Sequence, residues 1–407
     1  MSRRRVCLIT TFYPPYNFGG DGIAVQRLAR GLATHDCDVT VVHDADAFTV
    51  LSPREADSNV EDPPGVRVVT LRTHVPTVST LLTQQFGRPV MNGRRLRRTI
   101  EDGRFDAIIF HNVSLVGGPG LLPLAGRVPS IYVAHEHWLV CPTHVLWRHN
   151  REACDHRQCF RCQLRYHRPP QLWRNTAWFN RQLESVTRFV ALSEFSRAKH
   201  REMGFPRDMD VLPLFLPDEP GPPAPLYDEP PHGRPYFVFI GRLERIKGIE
   251  DVIDAFAGDG PADLLVIGRG TCADELQARA AGHRRVHFLG FRPLSELGRY
   301  YRHAVASIAP SRGFETFGFT VIEAFSHGTP VLARRMGSFP ELIEQSGGGR
   351  LFETPAQLRQ LCDELAASPG LRRDLGERGR AALAARWSEA AVIPRYLALM
   401  DELQAAR

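Results

Sequence analysis

The sequence predicts an α/β fold of two Rossmann-like, doubly wound domains that face each other across a cleft. Length is the first reason, because 407 residues exceed what one hydrophobic core usually supports. The second reason is that short apolar runs alternate with amphipathic helical stretches, which is typical of parallel sheets with crossover helices. The third is a single proline-rich interruption near the middle of the chain, which indicates a boundary between two domains.

Twelve apolar runs are expected to form the strands. Six lie before the interruption, at 6–10, 39–43, 66–71, 107–110, 130–134 and 188–191, and six follow it, at 236–240, 263–267, 286–289, 306–309, 330–334 and 350–352. Ligands of such sheets bind outside the carboxyl ends of the strands. Functional residues are therefore expected just after each run.

The interruption sets the predicted domain boundaries. Segment 216–235 is rich in proline, which fixes φ and lacks an amide donor, so it cannot lie inside a sheet. It is predicted to link an N-terminal domain, 1–215, to a C-terminal domain, 236–385. The closing segment, 386–407, is expected to form a helix that returns to the N-terminal domain. A cysteine-rich insertion occupies 141–170.

The charge pattern limits the partners. The net charge is +6, and only Lys199 and Lys247 among the basic residues are lysine. Because the arginine clusters at 94–98 and 148–168 are local, they favour an anionic substrate or a membrane surface over nucleic acid. No run approaches the roughly 20 apolar residues of a membrane span, and the apolar run after the first arginines is too short for a signal peptide. We expect a cytoplasmic protein, with peripheral contact to the inner membrane face as an option.

Two glutamates seven residues apart, Glu315 and Glu323, are the most informative feature of the chain. Glu315 lies in a loop with Gly313 and Gly318, and Glu323 is expected in the first turn of the helix that follows. Helix N-termini bind anions through their unpaired N–H groups, and carboxylates accept hydrogen bonds from sugar hydroxyls. The segment thus suits a nucleoside diphosphate sugar.

Two further loops carry phosphate-binding chemistry. Strand 236–240 is followed by Gly241-Arg242-Leu-Glu-Arg-Ile-Lys247-Gly248, where Arg242 supplies a fork of donors and Lys247 a point charge. The first strand is followed by a glycine-rich turn, Gly19-Gly20-Asp21-Gly22, before a helix expected from Ile23. Alone, this turn is a weak signal shared with dinucleotide-binding folds.

Together these segments resemble the retaining GT-B glycosyltransferases of family 4, with their E-x7-E and G-R-L-x-x-x-K-G motifs. The resemblance implies an enzyme that moves a hexose-type sugar from a UDP- or GDP-sugar to a hydroxyl acceptor, which binds the N-terminal domain. It also implies that Glu315 acts at the donor sugar. The donor-binding residues it implies are Gly20, Arg242, Lys247, Gly318, Phe319, Thr320 and Glu323.

Two histidines are candidate catalytic residues, because each follows a predicted strand. They are His111, after 107–110, and His135, after 130–134. Retaining transfer requires stabilisation of a positively charged sugar and polarisation of the acceptor hydroxyl. The resemblance places a histidine at the position of His111 against the donor sugar, and another histidine at the start of the loop matched by His135. We expect one of the two to contact substrate.

The insertion contains four cysteines that suit one structural zinc ion: Cys141, Cys154, Cys159 and Cys162. The last pair has the C-x2-C spacing of zinc sites, although the distance from Cys141 to the others is unconventional. A loop with unbound thiols is the alternative. If zinc orders this arginine-rich loop, it forms a flap over the acceptor site. No cofactor is expected to be required for catalysis.

Three D-x-D triplets, at 36–38, 44–46 and 208–210, are too short a motif to indicate manganese, and none follows a strand of the C-terminal domain. Two alternative functions stay open. One is another sugar-nucleotide enzyme on the same fold, such as an epimerase or a sucrose-synthase-like enzyme. The other is a basic, zinc-bearing nucleic-acid module, against which the four charged residues of the donor motifs argue.

Overall fold

The structure is a computed structural model that describes residues 3–52, 56, 64–218 and 229–406. Half of the prolines of the predicted linker, those within 219–228, lie outside the described residues. The strands are β1 (Arg4–Ile9), β2 (Cys37–Asp44), β3 (Val66–Leu71), β4 (Ala107–Phe110), β5 (Ser130–Ala134), β6 (Trp147–Arg148), β7 (Glu152–Ala153), β8 (Arg188–Ala191), β9 (Asp210–Val211), β10 (Tyr236–Ile240), β11 (Asp263–Ile267), β12 (Val286–Gly290), β13 (Ser307–Ala309), β14 (Val331–Arg334) and β15 (Gly349–Phe352).

The α-helices are α1 (Gly20–Thr34), α2 (Ala45–Leu51), α3 (Pro76–Phe86), α4 (Gly93–Gly103), α5 (Cys159–Arg165), α6 (Ala177–Glu184), α7 (Glu194–Glu202), α8 (Ile249–Ala255), α9 (Ala273–Arg279), α10 (Leu294–Arg302), α11 (Phe319–Ser326), α12 (Phe339–Ser346), α13 (Pro355–Ala367), α14 (Pro369–Ala382) and α15 (Glu389–Ala405). Short 3-10 helices occupy Pro119–Ala125, His137–Leu139, Leu172–Asn175 and Arg245–Lys247, and a π-helix occupies Leu383–Trp387. No helix in the described ranges is long and apolar enough to cross a membrane.

The first unit contains a seven-stranded sheet in the order β3-β2-β1-β4-β5-β8-β9. Every neighbouring pair is parallel. The central strands are fully buried, as the continuous apolar runs at 107–110 and 130–134 predicted. Because the chain moves outward from β1 to β3 and then returns to β4, this sheet has a topological switch point beside β1.

The second unit contains a six-stranded parallel sheet in the order β12-β11-β10-β13-β14-β15. Its core is formed by Phe237 and Phe239 of β10, Leu264 and Val266 of β11, and the apolar faces of the helices that flank them. The switch point lies between β10 and β13. The twelve predicted strands are therefore confirmed, and the structure adds the short strands β6, β7 and β9.

The chain divides into two compact units. The first comprises 1–144, 159–215 and 392–407, and the second comprises 145–158 and 216–391. The sequence had assigned the whole insertion to the N-terminal domain, whereas segment 145–158 groups with the second unit. Its strands β6 and β7 pair only with each other, so the large sheets do not fix its position. From Val392 onward, helix α15 belongs to the first unit.

Candidate functional site

The loops that follow β10 and β13 converge at the switch point of the second sheet. Gly248, which ends the first loop, has a φ of +65°. A Cβ atom on it would lie 2.4 Å from the carbonyl oxygen of Pro310, at the start of the second loop. Such a close approach requires glycine. The two loops that carry the predicted donor motifs are therefore in direct contact.

Lys247 and Glu315 form an ion pair at this junction. The Nζ atom of Lys247 lies 2.6 Å from Oε1 of Glu315, and Oγ of Ser311 donates to the same oxygen at 2.7 Å. Burial would raise the pKa of Glu315, but Lys247 and Ser311 outweigh it and hold this pKa below its usual value. The carboxylate is thus charged at neutral pH and fixed in orientation.

A third loop, after β14, fixes the backbone of Glu315. Ser338 donates its N–H to the carbonyl oxygen of Glu315 at 3.1 Å. Gly337 has a φ of +63°, and a Cβ atom there would lie 2.6 Å from the nitrogen of Glu315. Side chain and backbone of Glu315 are therefore both constrained, as a residue that positions a substrate requires.

Helix α11 begins at Phe319, after Gly318 with a φ of 116°. Phe319 and Thr320 form its first turn, whose N–H groups have no acceptors within the helix. Glu323 is the fifth residue of the helix and therefore lies in the second turn. The prediction that it lies in the first turn was wrong by about one residue. The shift arises because Gly318 remains outside the helix in a left-handed conformation. Tyr301 donates its hydroxyl to Oε2 of Glu323 at 3.4 Å.

Arg242 is less constrained than Lys247. Its guanidinium pairs with Glu244 at 3.0 Å, and its side chain is 55% exposed, compared with 24% for Lys247. Both cations follow β10 at the carboxyl edge of the sheet, as predicted. An exposed, flexible fork of donors is able to reorient toward an anionic ligand.

Asp251, in α8, supports these loops and was missed by the sequence interpretation. It accepts from Arg312 at 2.5 Å and also from Arg334, whose Nε donates to the carbonyl oxygen of Pro310 at 2.9 Å. Along the sequence, Asp251 is 61 residues from Arg312 and 83 residues from Arg334. No local pattern indicates such a cluster.

In the first unit, the glycine-rich turn leads into α1, which begins at Gly20 and not at Ile23 as predicted. The helix begins earlier because small residues 20–22 adopt helical conformation after Gly19. Gly20 is therefore the first helical residue and is exposed, with its N–H at the helix N-terminus. Next to it, burial and the charge of Glu136 raise the pKa of Asp21 to about 6.

The two candidate histidines contact each other. Nδ1 of His111 lies 2.8 Å from Nε2 of His135, so one ring must donate to the other. Burial lowers the pKa of His135 to about 4 and that of His111 well below its usual value. His111 is 1% exposed and lines, with His135, a cavity of about 10 Å³, room for about one water. The pair is neutral at pH 7, and His135 is the more accessible member.

The D-x-D triplet at 44–46 has a structural role. Asp44 caps helix α2 by accepting from the N–H of Asp46 at 2.9 Å. Asp46 in turn accepts from the N–H and hydroxyl of Thr73 at 3.0 and 2.7 Å. These carboxylates are therefore already used as acceptors within the fold.

The four cysteines of the insertion fall in both units. Cys141, Cys159 and Cys162 belong to the first and Cys154 to the second. No disulfide involves any of them. Cys141 and Cys159 both act electrostatically on the buried Arg174, whose pKa burial lowers to about 10. Zinc binding stays a prediction.

In the described part of the chain, one group of three potential ligands comes within 4.8 Å: His232, Asp263 and His287. Both histidines place Nε2 on Oδ2 of Asp263, at 2.7 and 3.0 Å, and Arg234 lies 3.2 Å from its other oxygen. Asp263 is the first residue of β11, at the edge of the sheet opposite the donor loops. The sequence interpretation had not identified this group, whose members come together only through strand pairing.

Two family comparisons match the two halves of the chain. Residues 18–219 match the family described as "Glycosyltransferase Family 4", and residues 228–382 match "Glycosyl transferases group 1". D-rhamnosyltransferase WbpZ of Pseudomonas aeruginosa is 28% identical over 214 residues, which cover 50% of this chain and 56% of that protein. The chain thus matches little more than half the length of this relative.

Solved structures of similar fold cover the whole chain. Sucrose-phosphate synthase from Thermosynechococcus elongatus superposes with a TM-score of 0.72 at 19% identity, covering 100% of both chains. Alr3699/HepE of Anabaena, solved in complex with UDP-glucose, superposes with a TM-score of 0.66 at 16% identity, covering 99% of this chain and 100% of that one. At these identities the likeness concerns the fold.

Proposed function

Because this chain belongs to the family 4 glycosyltransferases, with the GT-B fold, we propose that it moves a hexose-type sugar from a nucleoside diphosphate sugar to a hydroxyl acceptor with retention of anomeric configuration. The observation that carries the proposal is the pair formed by Lys247 and Glu315 beside the N-terminus of α11. This arrangement offers a cation and helix N–H groups for phosphates, with a fixed carboxylate for hydroxyl groups.

The donor-binding residues have different roles, which follow from the chemistry of their side chains. Arg242 and Lys247 neutralise the diphosphate, assisted by the N–H groups of Gly318, Phe319 and Thr320 at the start of α11. Glu323 accepts from the ribose hydroxyls, and the charged Glu315 from the donor sugar. Gly20, exposed at the start of α1, offers its N–H to the distal phosphate. A UDP- or GDP-sugar fits these contacts, and the UDP-glucose complex of the structural neighbour favours UDP.

The histidine pair supplies a neutral polar group. As a neutral imidazole, His135 can accept the proton of an acceptor hydroxyl or polarise it, and His111 orients the ring through the 2.8 Å hydrogen bond. Separation of the diphosphate leaves charge on its oxygens, which Lys247 and Arg242 stabilise where it develops.

We further propose a cytoplasmic enzyme whose arginine-rich surfaces permit peripheral contact with an anionic membrane. The acceptor is a hydroxyl group of a cell-surface glycan, a lipid-linked sugar or a natural product. A structural zinc at the four cysteines belongs to the same proposal, and zinc there would order the loop rather than take part in transfer.

The test begins with the donor. A panel of UDP- and GDP-sugars is screened for an increase in melting temperature, since a bound ligand stabilises the folded state according to its occupancy. The best donor is then incubated with hydroxyl acceptors, and proton NMR records the anomer formed. Retention is expected, and inversion would contradict the proposed class. Epimerisation of the donor, or its conversion without transfer to an acceptor, would favour another sugar-nucleotide enzyme on the same fold.

A further inference from the structure

A second cavity, of about 740 Å³, lies entirely in the first unit. Its volume is in the range of small-molecule sites. It is lined by parts of β1, β2 and β3, by the turn after β3, and by α4 with its preceding loop. Six of its lining residues are arginine: Arg5, Arg67, Arg72, Arg94, Arg95 and Arg98. We call this cavity the arginine groove.

Strand register explains one wall of the arginine groove. Thr40 of β2 pairs with Cys7 of β1 on one side and with Arg67 of β3 on the other. Arg5 precedes Cys7 by two residues, so it points to the same face as Thr40 and Arg67. This face is exposed at Arg5 and Arg67. The sheet thus presents two guanidinium groups from strands distant in sequence.

Helix α4 forms the opposite wall. Its buried side chains are Leu96 and Ile100, which turn Arg94, Arg95 and Arg98 away from the core and along the groove. Arg94 and Arg95 lie in the first turn, which contains no acidic residue. Cations at a helix N-terminus oppose the helix dipole and reduce stability. An anion bound between Arg94 and Arg95 would offset this loss of stability.

The positive charge of the groove is uncompensated within the described residues. There, none of the six arginines forms an ion pair, and Arg72 donates instead to the hydroxyl of Tyr16 at 2.7 Å. Arginines elsewhere are paired, as Arg312 is with Asp251. The lining contains a single carboxylate, Asp102. Six like charges around one cavity repel one another and attract anions.

An independent observation comes from Asn92, which precedes α4 and lines the groove. It is 7% exposed, and within the described ranges its side-chain amide makes no hydrogen bond, not even to cap the helix. The polar atoms of this amide are not enclosed, so they reach the groove and are available there to a polar ligand. The amide thus points to a polar ligand beside the first turn of α4.

We propose that the arginine groove binds a ligand with two or more closely spaced phosphate groups. Guanidinium forks match phosphate oxygens two at a time, and several arginines together match the charge of a diphosphate better than that of one carboxylate. The amide of Asn92 donates to a further oxygen. This site uses none of the donor residues and goes beyond the proposed transfer reaction.

Such phosphates have two sources, a soluble phosphorylated compound or a lipid headgroup. Val75 and Met91 line the groove and are 44% and 42% exposed, so its rim also offers apolar surface. The test therefore uses inorganic pyrophosphate in one arm, measured by calorimetry. The other arm uses phosphatidylcholine vesicles with or without phosphatidylinositol bisphosphate, whose headgroup carries several phosphate groups, and measures binding by sedimentation.

Two groove variants of the full chain are compared with a matched control. Arg94→Gln/Arg98→Gln and Arg67→Gln alter opposite walls. Arg97→Gln/Arg104→Gln removes the same charge as the first variant from the same helix region, outside the groove. The groove variants should bind pyrophosphate about 10-fold or more weakly than the control. Binding at the donor loops is common to all variants and cancels in the comparison.

The outcomes decide whether the groove binds phosphate groups and whether the ligand is a soluble compound or a lipid headgroup. Weaker pyrophosphate binding without a difference in vesicle binding assigns a soluble ligand, and weaker binding to acidic vesicles assigns a headgroup. Equal behaviour of groove and control variants in both arms overturns the proposal. The melting-temperature increase produced by the nucleotide sugar is measured on the same variants. It should be unchanged, so failure of the groove and failure of the donor site are distinguishable.

Discussion

Nζ of Lys247 lies 2.6 Å from Oε1 of Glu315, so the two residues that the sequence assigned to different parts of one donor are in contact with each other. Phosphate oxygens that bind Lys247 must share or replace this contact. The carboxylate keeps a second donor in Ser311, at 2.7 Å, and so stays oriented when the cation turns to the diphosphate. Lys247 is thus able to turn to the diphosphate while Ser311 keeps the Glu315 carboxylate in place.

Replacing Lys247 tests the diphosphate clamp. A charge-assisted contact is worth about 1.5–3 kcal/mol, so Lys247→Ala should weaken nucleoside diphosphate binding about 10- to 100-fold, measured by calorimetry. The other lysine of the chain provides the control. Lys199 pairs with Glu202 in α7 of the first unit, and Lys199→Ala should leave the affinity unchanged. Equal affinities for the two variants would contradict the clamp.

Replacing the Glu315 carboxylate by an amide tests its role at the sugar. Glu315→Gln preserves size but removes the charge, so turnover should fall by about 100-fold or more, with a smaller change in donor affinity. Glu344→Gln is the control, because Glu344 is an exposed residue of α12. A loss of donor affinity with unchanged turnover would show that Glu315 only binds.

The local elements of this fold follow from sequence, but the contacts between distant segments do not. Apolar runs such as 107–110 predicted buried strands because burial on both faces leaves a continuous hydrophobic pattern. Lys247 and Glu315 lie in loops that follow predicted strands, so the sequence also predicted their position at the carboxyl edge of the second sheet. The arginine groove depends on the pairing of Thr40 with Arg67, and a single arginine on a strand does not reveal that register. Gly318 displaced the start of α11 because backbone conformation there overrides the helical pattern.

Removal of divalent ions should not stop transfer. Arg242, Lys247 and the N-terminus of α11 provide the positive charge that a metal would otherwise supply to the leaving diphosphate. Activity should therefore survive EDTA in a short assay of product formation. Loss of activity that manganese alone restores would contradict this prediction and would renew interest in the D-x-D triplets.

The buried histidine pair should make stability depend on pH. The folded state resists protonation of His111 and His135, whereas the unfolded chain binds protons near pH 6.5. The contribution of the neutral pair to the free energy of unfolding is fully present above about pH 6.5. It is lost as the pH falls toward 4, by up to about 1.4 kcal/mol per pH unit for each histidine. His111→Gln should therefore lose less stability than wild type between pH 7.5 and 5, measured by denaturant unfolding. His74→Gln, which changes an exposed histidine of the same unit, should match wild type. Parallel slopes for all three proteins would contradict the assignment.

The cysteine-rich insertion provides the last prediction. Zinc binds deprotonated thiols, and its binding free energy is able to draw Cys141, Cys154, Cys159 and Cys162 into one tetrahedral site. Elemental analysis of protein purified without added metal should find about one zinc per chain, and this should fall when Cys159 and Cys162 are both changed to serine. Cys272→Ser, in the second unit, should retain the metal. Metal-free protein with four titratable thiols in the insertion would refute zinc binding. In that case the region would be ordered without a metal, by contacts such as those of Arg174, whose Cζ atom lies 4.8 Å from the ring centroids of both Trp138 and Trp173.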